Sequence, residues 1–555
     1  MSTKSPPVVV LGAGLAGLTA AIHLAERGVD VVLCEAHPTF LGGRTRAREP
    51  YAFRWKGQLY THSFDHGQHC MWAQYWNMRA MLDRLGILAH SVRPCETTGY
   101  LFDDGRTVHR LAPFDVNPSN LQPTLLHFLR HLMRAVRVPG WSPADSLKAA
   151  MALPRLAAMC SFAHERHYEV WDELSLQDLF VWMGLPAQLE QVLKSMGKAS
   201  TFHRHCDISA SWGLSMMEST MIGHPDDHKM WCFRGNLGTH LIDPLAQALR
   251  ARGGAILRNA TAAGLERDAD RIRAILLEPT ASPSDGRSAC SSEARERTKT
   301  LDADVPLSRP LRLPCAHVVS ALDIGGFQRW ALPALADLHE IRGVANMEAI
   351  GSIAVRVVTA HPVRLGDPPM GIFAGAFRLL DTYFRLSTYQ DEFAEFRART
   401  GGEVLELHAY LASRELAACT PATVRALVER EILRAWPELR DAVVHVAVGC
   451  NERTFDKHGV GHARFEPRMK TSLANLLLCG SWIRTSEAVH DMEKAVVTGL
   501  RAANTVLEEH SLAPFEVRRL RPPSSLQRLA ALLGPILPRP PALRSGRPAR
   551  GGPNR

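Results

Sequence analysis

The sequence predicts an α/β fold, and three observations predict it. A short apolar run, Val8 to Leu11, ends in Gly12-Ala-Gly14-Leu-Ala-Gly17 and passes into an Ala- and Leu-rich segment of helical spacing that reaches Arg27-Gly28. A second apolar run, Val29 to Cys34, ends at Glu35, 18 residues beyond Gly17. Far along the chain, Leu476 to Cys479 reads as a third buried strand, followed by Gly480 and by a helix-spaced segment from Met492. Strand, glycine turn, helix, strand and acid in that order make a Rossmann-type dinucleotide-binding unit. The distant third strand implies a domain built from both ends of the chain, with an α+β substrate domain interleaved.

Each element of the first unit has a chemical reason. Gly12 permits the tight turn, Gly14 lets backbone approach a pyrophosphate, and Gly17 lets helix and strand pack closely. The helix start adds unpaired N–H groups and a partial positive charge for phosphate. Glu35, at the tip of the second strand, can accept hydrogen bonds from both ribose hydroxyls of an adenosine. Gly42-Gly43-Arg44 follows seven residues later. Val8 to Arg44 as a whole resembles the opening of the FAD-dependent amine oxidase and carotenoid desaturase superfamily. The resemblance implies that Gly42, Gly43 and Arg44 run past the pyrophosphate and ribityl chain, and so implies FAD rather than NAD. The fold expected is therefore a split Rossmann-type FAD-binding domain with the substrate domain inserted.

Phe64-Asp65-His66-Gly67-Gln68-His69 leads into Met71, Tyr75, Met78 and Leu82, whose i, i+4, i+7, i+11 spacing predicts a helix with a buried stripe over a pocket. Read alone, His66 and His69 are polar turn residues that form no metal-ligand pattern with a neighbouring cysteine or acid. This D-x-G-x-H-like element followed by W-x-Q-Y-x-N is similar to carotenoid ring desaturase/methyltransferases of the isorenieratene synthase type. It is similar, less closely, to the hydroxysqualene dehydroxylases. The resemblance brings the segment back toward the isoalloxazine and makes His66 and His69 candidates for catalysis.

After a first FAD-binding segment, 1–90, the stretch 91–233 is expected to be a helix-rich substrate cap. Residues 110–235 read as helices broken near Pro139-Gly140, Pro154 and Pro186, without strand–helix alternation. Within it, Leu125 to Val136 has the composition of an amphipathic surface helix that could rest on a membrane or pack on the body. Trp212 to Met230 holds four methionines, suited to core filling or to a flexible apolar ligand. A glycine loop at Arg234 to Gly238, a helix over Thr239 to Arg252 and a strand after Gly253-Gly254 follow in an order that resembles the family's middle crossover, which implies a second FAD-binding segment, 234–335. The strand Val318 to Ala321 looks like the family's strand that rejoins the FAD sheet. Pro279 to Pro310, rich in Ser, Arg, Asp and Pro, reads as a disordered insertion. Strands at Ile350 to Val358 and Val404 to Leu411 and a helix over Pro421 to Trp436 are expected to form a substrate-domain sheet within 336–465.

The C-terminal FAD-binding segment, 466–510, carries NLLLCGSWIRTSEAVHDMEKAVVTGLRAAN from Asn475. Gly480 lets the chain approach the cofactor, and Ala495, Thr498 and Gly499 let the helix pack on the dinucleotide turn. The M-E-K-A-V-x-T-G wording is similar to the carotenoid desaturase/methyltransferase branch. The resemblance implies that Gly480, Ser481, Met492 and Glu493 bind the cofactor, with the helix dipole aimed at the flavin pyrimidine. Two departures stand out. Ser481 replaces the family's usual acid, and His490-Asp491 replaces the aromatic residue that amine oxidases commonly place before Met-Glu. That leaves His490 as a third catalytic candidate and disfavours an amine.

Composition excludes other classes. Hydrophobic content of 46% and charged content of 22% suit an ordinary globular chain too long for one core. Nine arginines against Glu516 in the Pro/Arg-rich tail, 511–555, account for nearly all of the net charge of +9. The basicity therefore does not indicate nucleic acid. Within the tail, Leu526 to Leu537 is a short apolar patch that could touch an anionic membrane or stay disordered. Eleven cysteines without CxxC or metal-like spacing read as reduced thiols of a cytoplasmic protein, with no metal expected. No apolar run is long enough to span a bilayer and the first strand begins at once, so neither a spanning helix nor a signal peptide is expected. No Ser-His-Asp, HExxH or GK[ST] element supports hydrolase or kinase chemistry. The expected protein is an FAD-dependent oxidoreductase of a hydrophobic isoprenoid, a carotenoid above all, desaturating it with or without ring rearrangement and touching the inner membrane face peripherally. A hydroxysqualene-type dehydroxylase, a flavin amine oxidase and a non-enzymatic lipid-binding flavoprotein are the alternatives. The sequence sets no oligomeric state.

Overall fold

The computed structural model describes residues 5–117, 141–159, 164–222, 228–280, 306–364, 366–410 and 420–518. The glycine-turn unit forms as expected, with β1 at Val8–Leu11, α1 at Leu15–Glu26 and β2 at Val31–Cys34. Five parallel strands lie side by side in the order Ala255–Leu257, β2, β1, His317–Ser320, Leu476–Leu478. β1 lies at the centre of this sheet, where Val8 to Leu11 register against Val31 to Cys34 on one side and His317 to Ser320 on the other. All four β1 side chains are buried, as a strand covered on both faces requires.

Two apolar cores cover the two faces. On one, α1 packs against the helix Asp491–Glu509 through Ala16, Val496 and Ala503. On the other, the helix Ile324–Leu335 packs with Trp330 and Trp482 over the antiparallel strands Ala260–Arg267, Ile272–Pro279 and Leu311–Pro314. The helix pair sits close because Gly499 faces backbone: a Cβ there would lie 2.3 Å from the Ala16 carbonyl oxygen.

The second large sheet has seven strands, ordered Val443–Asp456, Ala349–Thr359, Glu403–Tyr410, Thr382–Arg385, Met370–Gly375, Thr97–Asp103, Val108–Asp115. The helix Pro421–Ala435 packs against it through Val428 and Ile432, and Trp436 just beyond the helix joins the same core. Two strands correct the sequence reading of a purely helical stretch after residue 110. Val108–Asp115 pairs with Thr97–Asp103, and Met230–Phe233 closes the same stretch as a strand between Cys70–Trp72 and Val92–Pro94. Thr97–Asp103 is buried almost throughout and so lacks the alternation that marks a half-exposed strand. The helices expected there do follow, at Pro143–Met159, His164–Trp171, Leu176–Met183, Ala187–Thr201 and Ala210–Met217.

The stripe at Met71, Tyr75, Met78 and Leu82 is buried throughout, but the helix begins only at Trp76 and Met71 lies on a strand. The start of the tail is tied down: Phe515 lies under the Arg27 guanidinium at 4.2 Å, and Arg518 exchanges two backbone hydrogen bonds with the Asn77 amide. The amphipathic stretch 125–136, most of the insertion 279–310 and the apolar patch 526–537 lie outside the described residues.

Candidate functional site

The carboxyl ends of β1 and β2 open into a cavity of about 790 Å³ that extends to the seven-stranded sheet. Crevices at that end of a parallel sheet are where dinucleotides bind. Gly12, Gly14, Glu35, Gly42, Gly43 and Arg44 line it from the N-terminal unit, and Gly480, Ser481 and Met492 from the C-terminal one. Sequence-distant ends thus meet at one wall.

The residues present fit FAD. α1 starts after Gly14 without a side-chain cap, and Leu15 and Ala16 line the cavity, so the first-turn N–H groups are available to a pyrophosphate. A Cβ on Gly14 would meet nothing nearer than the Gly42 carbonyl oxygen at 3.9 Å, which leaves room for a ligand. At Gly17 the same atom would lie 1.9 Å from the Gly12 carbonyl oxygen, so this glycine serves helix packing and does not reach the cavity. Glu35 is oriented by two backbone donors, Ala13 N–H at 2.9 Å and His37 N–H at 2.8 Å. Burial pushes its carboxyl above the usual range, a cost that ribose hydroxyls donating to it would offset.

Ser481 shows how the missing acid is replaced. Arg44 donates to the Ser481 hydroxyl, which donates to Asp456, and Arg44 lies 3.3 Å from that same carboxylate. Asp456 ends the strand Val443–Asp456, so the charge comes from the other sheet. Burial opposes ionisation of Asp456, but Arg44, His458, the Ser481 hydroxyl and Lys494 together outweigh it and hold the carboxyl below its ordinary value. Asp491 lines the cavity nearby, and burial raises it to about 6.

Of the three histidines singled out, two reach the cavity. His66 faces the Arg46 carbonyl at 3.2 Å through Nδ1, and His69 faces the Gly67 carbonyl at 2.6 Å. His490 does not line it. Its two ring nitrogens meet Ser215 Oγ at 3.0 Å and Ser219 Oγ at 2.9 Å, and Trp212 packs across it edge to face. Glu493 also departs from the expected role. Its carboxylate accepts from Asn77 N–H and side-chain amide at 2.8 Å and from Met78 N–H at 2.9 Å, so it fastens the start of the helix Trp76–Arg84. Met492 does line the cavity.

The sheet supplies residues that no local motif marks. His408 and Tyr410, two apart on Glu403–Tyr410, both face the cavity. His408 Nδ1 lies 2.8 Å from the Tyr410 hydroxyl and Nε2 lies 2.7 Å from Glu406. Glu406 is fully buried against Arg356, whose charge with His408 overcomes burial and lowers the carboxyl to about 2. At the cavity wall His458 stacks on Trp212 at 3.5 Å, backed by a buried network of Glu466, His462 and Asp172. The alternation of Glu406, His408 and Tyr410 on one strand face was the available signal.

The family model of flavin-containing amine oxidoreductases matches residues 15–507. The carotenoid phi-ring synthase of Streptomyces griseus is 28% identical over 564 aligned positions, covering 95% of this chain and 93% of that protein. The carotenoid phi-ring synthase of Chlorobaculum tepidum is 23% identical, covering 92% and 90%. Among solved structures, putrescine oxidase bound to putrescine superposes with a TM-score of 0.60 at 15% identity over 91% of this chain and 99% of that one, a likeness of fold.

Proposed function

The chain belongs to the flavin-containing amine oxidoreductase family and is an FAD-dependent oxidoreductase, and from that premise we propose that its substrate is a carotenoid whose end ring it oxidises. One observation carries the choice over an amine. The cavity's aspartates, Asp323, Asp456 and Asp491, all act on Arg44. The half beneath the seven-stranded sheet is lined by Met196, Phe202, Met230, Met370, Ile372, Phe384 and Phe455, and its polar groups, Thr98, Ser352, Thr382, His408 and Tyr410, include no carboxylate, among the described residues, to pair with an ammonium. The two phi-ring synthases support the same reading.

When bound, the flavin accepts a hydride equivalent from a substrate C–H. The protein does the rest. Gly14 and the start of α1 hold phosphate, Glu35 the ribose, and Arg44 with Ser481 and Asp456 the polyol. The methionines and aromatics exclude water and fix the hydrocarbon by burial, at about 25 cal/mol per Å². Closing the new double bond then requires the neighbouring C–H to give up a proton. The Tyr410 hydroxyl is placed to relay it, passing its own proton to His408 Nδ1 at 2.8 Å, with Glu406 held against the other ring nitrogen, and His66 and His69 flank the same space.

Among the described residues no helix is long and apolar enough to cross a membrane. We place the enzyme in the cytoplasm, at the surface of the membrane that dissolves such a substrate, with the exposed Leu147, Met151 and Val181 toward the lipid. Incubating FAD-loaded protein with a ring-bearing carotenoid in detergent, then separating the pigments, tests the reading. A product with a more unsaturated ring is expected. Hydrogen peroxide release with amines and an unchanged polyene would overturn it.

A further inference from the structure

Three cysteines that share no sequence motif meet on the small sheet beside the cavity. Cys70 stands directly opposite Cys232 on antiparallel strands. Cys95 follows the strand Val92–Pro94 on the other side of Met230–Phe233, and its N–H donates to the Met230 carbonyl at 3.0 Å. The Sγ atoms of Cys70 and Cys95 lie 3.3 and 3.1 Å from that of Cys232, across 162 and 137 residues of chain, and all three lie within 4.8 Å of one another. Cys95 and Cys232 are fully buried and Cys70 reaches the cavity wall. The expectation of scattered thiols therefore gives way to one compact sulfur triangle.

A disulfide does not account for this arrangement. Cys232 is the near neighbour of both other sulfurs, so any one bridge strands the third thiol in the core. A second observation points into the cluster. The Tyr389 hydroxyl is buried and makes no hydrogen bond among the described residues, and Tyr389 shares one buried cluster with Cys95 and Cys232, against which Cys70 packs. An ion bound at about 2.3 Å from each sulfur in tetrahedral geometry separates them by about 3.8 Å, a shift of roughly 0.5 to 0.7 Å from the pairs at 3.3 and 3.1 Å.

We propose that Cys70, Cys95 and Cys232 form a thiolate site for one thiophilic d10 cation of the Zn²⁺ class, with Tyr389 in the same buried cluster. Binding forms three metal–sulfur bonds and releases the three S–H protons to solvent, with no change of oxidation state. The ion ties together the strands that carry Cys70 and Met230 to the cavity wall. This inference does not depend on the identity of the substrate.

The test is elemental analysis of the FAD-loaded protein purified without chelators. One equivalent of Zn²⁺ per chain is expected in the wild type, falling by about tenfold or more in C232S, the variant lacking the shared sulfur. Should C232S fail to fold, the wild type alone decides. Stripped of metal and titrated with Cd²⁺, it develops sulfur-to-cadmium charge-transfer absorbance that saturates at one equivalent, and chelation makes three protected thiols reactive. Absence of bound zinc together with no saturating cadmium band overturns the proposal. So does an intact mass two hydrogens light, with Cys232 found in a disulfide.

Discussion

His23 sits in α1 with Nδ1–H donating to the Thr19 carbonyl at 2.7 Å, while Nε2 accepts from Arg84 at 2.8 Å. Burial, with Arg84 beside it, pushes this histidine down from 6.5 to about 4. The folded state therefore holds it neutral while the unfolded chain takes up a proton. Stability is fully present above about pH 6.5 and is lost as pH falls through about 4, by up to about 3 kcal/mol. His462 has the opposite sign. Although burial opposes its charge, Glu466 and Asp172 raise it to about 9. Its contribution is complete below about pH 6.5 and disappears as pH rises through about 9. Chemical denaturation across pH should show a shallower acid slope in His23→Gln and a shallower alkaline slope in His462→Gln. At Glu406, removing the charge strands the fully buried Arg356. Glu406→Gln should lower unfolding free energy by about 3–5 kcal/mol in the same assay, and a cost below about 1 kcal/mol would show that Arg356 finds another partner.

At the scale of elements, two close contacts control whether the dinucleotide crevice forms. The contact between α1 and the helix Asp491–Glu509 leaves no room for a side chain at residue 499. Gly499→Ala should therefore cost about 1–3 kcal/mol by overpacking and loosen flavin, read as faster FAD loss on gel filtration. At the tip of β2, Glu35→Gln exchanges a charged acceptor for a neutral one. Equilibrium dialysis should show FAD affinity falling about tenfold to a hundredfold. These elements were legible in the sequence because strand, glycine turn, helix and acid are local, and so were the strand Leu476–Leu478 and its helix. Elements whose signal is tertiary were not. Thr97–Asp103 pairs locally with Val108–Asp115, but its other edge is buried only by Met370–Gly375, more than 250 positions away, and the start of the helix at Trp76 depends on Glu493 supplying acceptors from the far end of the chain.

The whole molecule explains which site residues escaped the sequence. Glycines and Glu35 lie within one motif, whereas the cavity is closed by Asp456, His408 and Tyr410 at strand ends and faces that the seven-stranded sheet brings over the flavin crevice. The same convergence removes His490 and Glu493 from the cavity wall, since a residue's distance from a motif says nothing about which way its side chain faces. One cavity thus spans both sheets, polar and glycine-lined at one end, walled by methionines and aromatics around the His408–Tyr410 pair at the other, and this continuity is the basis of the claim that a hydrocarbon ring meets the flavin directly. The most direct measurement is anaerobic stopped-flow mixing of the FAD-loaded protein with a ring-bearing carotenoid in detergent. The account predicts bleaching of the oxidised-flavin absorbance with concomitant oxidation of the carotenoid ring, slowed in Tyr410→Phe. A flavin spectrum that stays unchanged while the carotenoid binds would contradict it and leave a protein that only holds lipid.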